Sequence, residues 1–259
     1  TVALAGVLAA SMLFTGCSKK AESKVPDKLI VGTNAEFPPF EYMNDKKQPE
    51  GFDIAMIKEI GKRMGKKVEI KNMEFKSLIG AMESDSINAI IAGMTKTEKR
   101  EKAVDFSDSY YTTNQAIILK KDSKITKLAQ LDGKKIGVQE GTTGDLISSG
   151  DKFGDGKKAK VLVKGAKVKR FKKGVDAVMD LKNGSVDAVV IDELTANEFV
   201  KKNAKKLKIV IDSAGSEYYC IALTKGNTAY KEEVNKQIKA IKEDGTYDKL
   251  KAKYIDSAN

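Results

Sequence analysis

The sequence predicts an α/β fold with two lobes, and three features of the chain support this prediction. Short apolar segments alternate with amphipathic ones, as expected for sheets covered by helices. A strand, a glycine-bearing loop and a helix are predicted in this order over residues 28–64 and again over residues 134–149. A chain of 259 residues with 41% hydrophobic residues can also bury the cores of two medium-sized domains.

The predicted strands are short apolar runs bounded by turn residues. They are Leu29–Gly32, Val68–Asn72, Ala89–Ala92, Gln115–Lys120, Lys135–Val138, Lys167–Phe171, Ala188–Ile191, Lys208–Ile211 and Tyr218–Leu223. The predicted helices carry apolar residues at helical spacing. They are Asp53–Met64, Lys76–Ser84, Ile125–Leu131, Thr142–Ser149, Val175–Asn183, Glu193–Lys202 and Tyr230–Glu243. This alternation indicates mostly parallel sheets with helices on both faces.

The first 16 residues are uncharged and mostly apolar, and a fully polar segment follows at 18–24. Because about 20 residues are needed to span a bilayer as a helix, we interpret residues 1–16 as the apolar part of a secretion signal. Phe14-Thr15-Gly16-Cys17 resembles the bacterial lipobox, with Phe14 in place of the usual leucine. We therefore expect Cys17 to carry lipid and residues 17–27 to form a polar tether, with ordinary secretion as the alternative. Cys220 is expected to be a buried structural thiol.

Composition excludes several kinds of chemistry. The chain has no histidine, which excludes Ser-His-Asp and Cys-His nucleophile pairs and His-ligated zinc. No cofactor or metal site is predicted. The net charge of +11 includes a dense basic run at 164–173, but this run has a single aromatic residue and no nucleic-acid motif. We expect a solvated basic face and no nucleic-acid partner.

The segment from Ala92 to Arg100 follows a predicted strand and has the groups that a carboxylate ligand needs. Gly93 permits close backbone approach, Thr95 offers a hydroxyl, and the Arg100 guanidinium can hold two carboxylate oxygens. Thr97 is expected to cap the short helix that follows.

Two phenylalanines stand near this segment in the predicted fold. Phe37 precedes two prolines, and Phe52 lies between Gly51 and Asp53. Either ring could form an apolar wall or belong to the core, and Asp53 is expected to cap the helix that it precedes.

Two further groups follow strands in the second half of the chain. Gln139 and Thr143 lie in a glycine-rich turn at a predicted helix start, which is either a simple turn and cap or an anion site. Asp192 ends an apolar strand, where it could cap a helix or anchor a ligand. Ligands in open α/β sheets bind beyond the carboxyl ends of strands.

Together these motifs resemble the solute-binding proteins of ABC importers for polar amino acids, over about residues 27–254. The resemblance implies a two-lobed periplasmic-binding-protein type II fold joined by two hinge strands. It places lobe 1 at 27–112 plus 217–259 and lobe 2 at 113–216, with crossings near Tyr111–Ala116 and Asp212–Ser216.

The resemblance also implies ligand-binding roles. Arg100 and the Thr143 backbone would hold the ligand's α-carboxylate, Gly93 would present backbone groups, Thr95 would bridge carboxylate and ammonium, and Asp192 would hold the α-ammonium. Phe37 and Phe52 would enclose the ligand side chain, with Gln139 beside it. Asn34 stands where relatives for basic or amide side chains often carry aspartate. Glu36, Glu41 and Glu140 would favour a cation if they lie near the mouth.

The sequence therefore predicts a monomeric, lipid-anchored, extracytoplasmic receptor that is not an enzyme. It would close on a neutral or basic polar L-amino acid, such as glutamine, arginine, lysine or cystine, and deliver it to an ABC permease. The alternatives are a dehydratase-like enzyme on the same scaffold, whose mark would be a cleft carboxylate replacing a binding group, and a ligand-sensing module.

Overall fold

The computed structural model describes residues 23–153, 160–211 and 216–257. The predicted secretion signal, the Cys17 lipidation site and most of the second predicted crossing lie outside these residues. Within them, no helix has the length and apolar character needed to cross a bilayer.

The first part of the chain and its last part build one lobe. Its strands are β1 Lys28–Thr33, β2 Glu36–Phe37, β3 Glu41–Met43, β4 Pro49–Glu50, β5 Lys67–Asn72, β6 Ala89–Ile90, β7 Val104–Thr113 and, after the second lobe, β15 Glu217–Thr224. Its helices are α1 Phe52–Arg63, α2 Leu78–Glu83, α3 Glu98–Glu101, α7 Thr228–Glu243 and α8 Thr246–Lys251. We call this part lobe 1.

The segment between β7 and β15 builds lobe 2. Its strands are β8 Gln115–Lys120, β9 Lys135–Gln139, β10 Lys152–Phe153, β11 Lys160–Val161, β12 Lys167–Phe171, β13 Ala188–Asp192 and β14 Leu207–Ile211. Its helices are α4 Thr143–Ser148, α5 Gly174–Asn183 and α6 Glu193–Lys201. The predicted helix Ile125–Leu131 is wrong as an α-helix, because only a 3₁₀ turn forms there, at Leu128–Leu131.

Each lobe contains a five-stranded sheet, which confirms the two-lobed α/β prediction. The order is β5-β1-β6-β15-β7 in lobe 1 and β12-β9-β13-β8-β14 in lobe 2. The β1, β5 and β6 strands pair in parallel, as do β9, β12 and β13. The strands that adjoin the crossings, β15 and β8, pair antiparallel with their neighbours, so both sheets are mixed.

The apolar stripes predicted for the helices form the core. Met56, Ile57 and Ile60 of α1 are fully buried against the lobe 1 sheet, and Val234 and Ile238 of α7 are buried on the same side. Residues at or just after the carboxyl ends of β1, β6, β9 and β13 meet at one pocket between the lobes.

The start of α1 differs from the prediction that Asp53 is its cap. The N-cap residue is Gly51, at φ +125°, where a Cβ atom would lie 2.2 Å from the Phe40 carbonyl oxygen. Only glycine fits this position. Asp53 is therefore inside the first turn, and its buried carboxylate accepts hydrogen bonds from the Gly93 N–H (2.8 Å) and the Tyr110 hydroxyl (2.7 Å).

The prediction that Phe52 forms a wall of the binding site is corrected by its position. The ring is fully buried in the lobe 1 core, with ring centroids 5.6 Å from Tyr247, 5.9 Å from Tyr111 and 6.5 Å from Phe40. Phe52 is not among the residues that line the pocket between the lobes.

Replacing Phe52 with alanine should therefore lower the free energy of unfolding by about 3–5 kcal/mol, the usual cost of truncating a buried phenylalanine. Urea unfolding would measure this loss. The matched control is Tyr218→Ala, because the Tyr218 side chain is 50% exposed and its loss should change stability by about 0.5 kcal/mol or less. Equal effects of the two substitutions would contradict the core position of Phe52.

Candidate functional site

A polar pocket lies between the lobes, where strand ends from both sheets meet. It is lined by Asn34, Phe37, Glu41, Phe75, Ala92, Gly93, Thr95, Arg100, Gln139, Thr142, Thr143 and Asp192. Eight of the nine ligand-binding residues predicted from the sequence therefore line one pocket, and Phe52 is the exception. The space inside measures about 10 Å³, which is about the size needed for one water, so a larger ligand requires the walls to separate.

Arg100 is held in the pocket wall by the short helix α3. The Thr97 hydroxyl caps this helix by accepting from the Arg100 N–H, as the sequence predicted. The guanidinium is buried and donates to the Thr95 carbonyl oxygen (2.5 Å) and, across the cleft, to the Gly141 carbonyl oxygen (3.0 Å). Its central carbon lies 5.3 Å from the Phe75 ring centroid. Burial lowers the pKa of Arg100 to about 10, against the attraction of Glu217 and Asp192, so it remains a cation at neutral pH.

Asp192 contributes a carboxylate from lobe 2. It stands in the N-cap position of α6 but makes no capping hydrogen bond, which excludes the capping alternative. Instead its Oδ1 accepts from the Tyr219 hydroxyl at 2.7 Å. Burial raises the pKa of Asp192 to about 8, with a further contribution from the nearby charge of Glu217. A cation placed beside this carboxylate would relieve both effects.

Glu217, at the start of β15, was not identified from the sequence. Its side chain is buried, and its Oε2 accepts from the Thr95 hydroxyl (2.5 Å) and the Thr143 hydroxyl (2.7 Å). Burial raises the pKa of Glu217, and the two hydroxyl groups oppose this rise. In the sequence, Glu217 is a glutamate after the second predicted crossing and belongs to no recognisable motif. Its neighbours along the chain therefore give no indication that it contacts Thr95 and Thr143.

Asn34 and Gln139 meet across the cleft. The Gln139 amide donates to the Asn34 Oδ1 at 2.8 Å and to the Lys172 carbonyl oxygen at 3.2 Å. The Asn34 amide in turn donates to the Met73 carbonyl oxygen at 2.8 Å. Both side chains are therefore fixed by neighbours, with their polar groups in the pocket wall.

Aromatic rings close one side of the pocket. Phe37 lines the pocket, as predicted. The second aromatic residue that lines it is Phe75, whereas the prediction was Phe52. Gly93 has φ +52°, and a Cβ atom there would lie 3.2 Å from the Phe37 ring, so glycine permits this close approach. The Gly93 N–H donates to Asp53 and is therefore not free to contact a ligand. This differs from the expectation that Gly93 presents its backbone groups to the ligand.

The three glutamates predicted near the mouth have different positions. Glu41 lies inside, among the pocket-lining residues, and is 1% exposed. Burial raises the pKa of Glu41 well above its ordinary value, and the neighbouring charges of Asp53 and Asp192 raise it further. Within the described residues its Oε2 has no hydrogen-bond partner. Glu36 and Glu140 remain at the surface.

Surface ion pairs join the lobes around the pocket mouth. Lys76 contacts Glu140 (2.6 Å), Lys172 contacts Glu74 (2.6 Å), and Lys173 contacts Glu36 (2.7 Å). In each pair one side chain belongs to lobe 1 and the other to lobe 2. The structure is therefore a closed conformation, held at its rim by charge.

The chain matches a known family over nearly all of its described residues. The match to the bacterial extracellular solute-binding proteins, family 3, covers residues 29–257. The chain is 34% identical to the arginine-binding extracellular protein ArtP of Bacillus subtilis over 243 residues, 93% of this chain and 91% of the relative. The chain belongs to this family.

Solved structures show the same similarity. An ancestral arginine-binding protein bound to arginine is 40% identical, with a TM-score of 0.77, and the match covers 90% of this chain and 100% of that one. An ancestral amino acid-binding protein described as a precursor of cyclohexadienyl dehydratase is 33% identical, with a TM-score of 0.77, over 88% of this chain and 95% of that one. Both comparisons agree with a type II periplasmic-binding-protein fold.

The buried carboxylate of Asp53 should make stability fall with rising pH. Burial raises the pKa of Asp53 from its ordinary value of 3.8 to about 6. The folded protein then binds more protons than the unfolded chain between pH 4 and 6, and stability is lost as pH rises through this range. A shift of this size corresponds to about 3 kcal/mol.

Asp53→Asn should reduce the loss of unfolding free energy between pH 4 and 6 by the contribution of this one carboxyl group, as measured by urea unfolding at several pH values. Asn keeps an oxygen that can accept from Gly93 and Tyr110. The control is Asp45→Asn, because Asp45 lies in an exposed turn. An Asp53→Asn curve parallel to that of the unmodified protein would contradict the assignment.

The ion pairs at the rim should make closure sensitive to charge. Lys173→Glu places two like charges opposite each other and should lower the ratio of closed to open protein by about 1.4- to fivefold, because exposed pairs contribute about 0.2–1 kcal/mol. Adding Glu36→Lys restores opposite charges and should restore closure. The distance between labels on the two lobes would report this, at low salt and at 1 M salt, where screening should remove the difference.

The control for this experiment is Lys169→Glu, since Lys169 pairs with Asp180 within lobe 2. This substitution should leave the distance between the lobes unchanged. An equal effect of both lysine substitutions would show that net charge, not the pairs across the cleft, controls closure.

Proposed function

We propose that this protein is the amino-acid receptor of an ABC importer and that its ligand is an L-amino acid with a cationic side chain, arginine first among them. The observation that carries the proposal is the pairing of a buried guanidinium and a buried carboxylate in one interlobe pocket. Arg100 comes from lobe 1 and Asp192 from lobe 2, so a zwitterion can be held only when the lobes close.

The two ends of an amino acid fit these two groups. The α-carboxylate is assigned to Arg100, whose planar guanidinium can donate two parallel hydrogen bonds, and to the backbone at Thr143. The α-ammonium is assigned to Asp192, because a cation lowers the cost of burying this carboxylate. Thr95, between them, contacts the same end of the ligand, and closure on the ligand follows from its better fit to the closed form.

A cationic side chain is supported by Glu41. This carboxylate is buried in the pocket wall and one of its oxygens has no partner within the described residues. An unpaired buried charge is costly, whereas a paired one is tolerated. Without a cation nearby, burial and the neighbouring acids favour the protonated form of Glu41. A guanidinium or ammonium beside Glu41 would stabilise its carboxylate instead, with Phe37 and Phe75 against the methylene part. Relatives named as arginine-binding proteins support the same choice.

Binding without turnover is favoured over the enzymatic alternative. The expected mark of an enzyme on this scaffold is a cleft carboxylate that replaces a binding group. Here Arg100 and Asp192 both remain in the pocket, and Glu41 is an addition to them. We further propose that the protein works outside the cytoplasm as a monomer, anchored through lipid on Cys17, and passes its ligand to a permease. The lipobox-like residues 14–17 and the family support this placement.

The function is tested by isothermal titration of the protein, after unfolding and refolding to remove carried ligand, against the twenty common L-amino acids and cystine. We expect micromolar or tighter binding of arginine. Arg100→Ala and Asp192→Ala should each weaken binding by about 30-fold or more, because losing one partner of a buried charge pair costs about 2–5 kcal/mol and 1.4 kcal/mol is tenfold. Glu41→Gln should weaken the binding of arginine more than the binding of glutamine.

Lys99→Ala and Asp176→Ala are the matched controls, because both side chains are exposed and outside the pocket. They should bind as the unmodified protein does. Binding of none of the amino acids would overturn the proposed function. Conversion of a bound ligand, followed by chromatography, would support the enzymatic alternative instead.

A further inference from the structure

Glu217 lies behind the pocket, at the point where the chain returns to lobe 1. It is the first residue of β15 and pairs in register with Thr113, the last residue of β7, beside the crossing to lobe 2. Its side chain is 1% exposed and does not line the pocket. Within the described residues, its hydrogen bonds to pocket-lining residues come from two hydroxyl groups.

These two hydroxyl groups come from different lobes. Thr95 belongs to lobe 1, and Thr143 begins α4 of lobe 2. Both donate to the same carboxylate oxygen, at 2.5 and 2.7 Å. Opening the cleft moves these threonines apart, so at least one of the two hydrogen bonds must break. Glu217 therefore stabilises the closed conformation directly, from a position on the hinge.

The contact also fixes which way each hydroxyl faces. A threonine hydroxyl has one proton and two lone pairs. While the Thr95 proton is given to Glu217, the Thr95 oxygen can only accept hydrogen bonds on its pocket side. An acceptor there suits an ammonium group and opposes a carboxylate. Thr143 is fixed in the same way, and its oxygen also accepts from the Gln115 amide at 3.2 Å.

We propose that Glu217 is a positioning residue that orients the Thr95 and Thr143 hydroxyl groups and thereby links lobe closure to recognition of the ligand's α-ammonium group. This inference rests on the proposed function for the identity of the ligand. It assigns no direct ligand contact to Glu217. The side chain acts through the two threonines and holds them together only in the closed form.

The test compares two substitutions that differ in one property. Glu217→Gln keeps an oxygen that can accept from both hydroxyls, whereas Glu217→Leu has a similar volume and no acceptor. Titration with L-arginine should show at least tenfold weaker binding to Glu217→Leu, and Glu217→Gln should remain within about threefold of the unmodified protein. Equal affinities of the leucine variant and the unmodified protein would overturn the inference, as would equal losses in both variants.

A double-mutant cycle separates positioning from general damage to the fold. Thr95→Val removes the hydroxyl through which Glu217 acts, so adding Glu217→Leu to it should cost much less than Glu217→Leu costs alone. Fully additive losses would overturn the inference. If Glu217→Leu does not fold, Thr143→Val replaces it in the cycle, because it removes one donor and leaves the carboxylate in place.

A readout without ligand keeps this test independent of the proposed function. Spin labels on cysteines introduced at the exposed positions Lys58 and Lys182, with Cys17 replaced by serine, report the distance between the lobes. The unmodified protein should show a closed population that Glu217→Leu reduces and Glu217→Gln keeps. If no amino acid binds but this pattern is seen, the proposed function fails and the hinge role of Glu217 stands. An unchanged distance distribution in Glu217→Leu overturns that role.

Discussion

The cost of burying charge controls the architecture of the cleft. Arg100 is a cation enclosed by protein, and it faces two acids, Asp192 and Glu217, whose pKa values are raised by the same burial. None of these groups would be stable alone in an apolar interior. The interactions that offset the cost of burying these groups depend on both lobes, because Arg100 donates across the cleft to the Gly141 carbonyl oxygen. The contacts within the site therefore form and break together with the closing and opening of the lobes.

The fold provides this arrangement through its topology. The chain builds most of one sheet, crosses to build the other, and returns as β15, so the hinge residue Glu217 contacts the pocket residues Thr95 and Thr143. Strand carboxyl ends from both sheets then face each other, and two glycines of lobe 1 permit close approaches there. Gly51 allows the Phe40 carbonyl oxygen to contact the start of α1, and Gly93 allows the Phe37 ring to lie against the backbone. Substituting either residue would move the aromatic wall.

The sequence predicted well what depends on local order along the chain. Arg100, Gln139 and Asp192 follow apolar strands, and the general rule for α/β sheets brings such residues to one edge. Prediction from the sequence was wrong or incomplete where the contacts join residues that are far apart along the chain. The family resemblance places Phe52 in the pocket wall, yet its ring packs against Tyr247, which is far away in the sequence, and Phe75 lines the pocket. Glu217 touches residues 122 and 74 positions away, which no spacing reveals.

The central claim is that one zwitterion is held between a guanidinium of lobe 1 and a carboxylate of lobe 2. The most direct measurement is a crystal structure of the protein grown with L-arginine. We expect a closed form with the α-carboxylate within hydrogen-bond distance of Arg100 and the α-ammonium within hydrogen-bond distance of Asp192. The side-chain guanidinium should lie towards Glu41. Arginine bound in the reverse direction, or to one lobe alone, would contradict it.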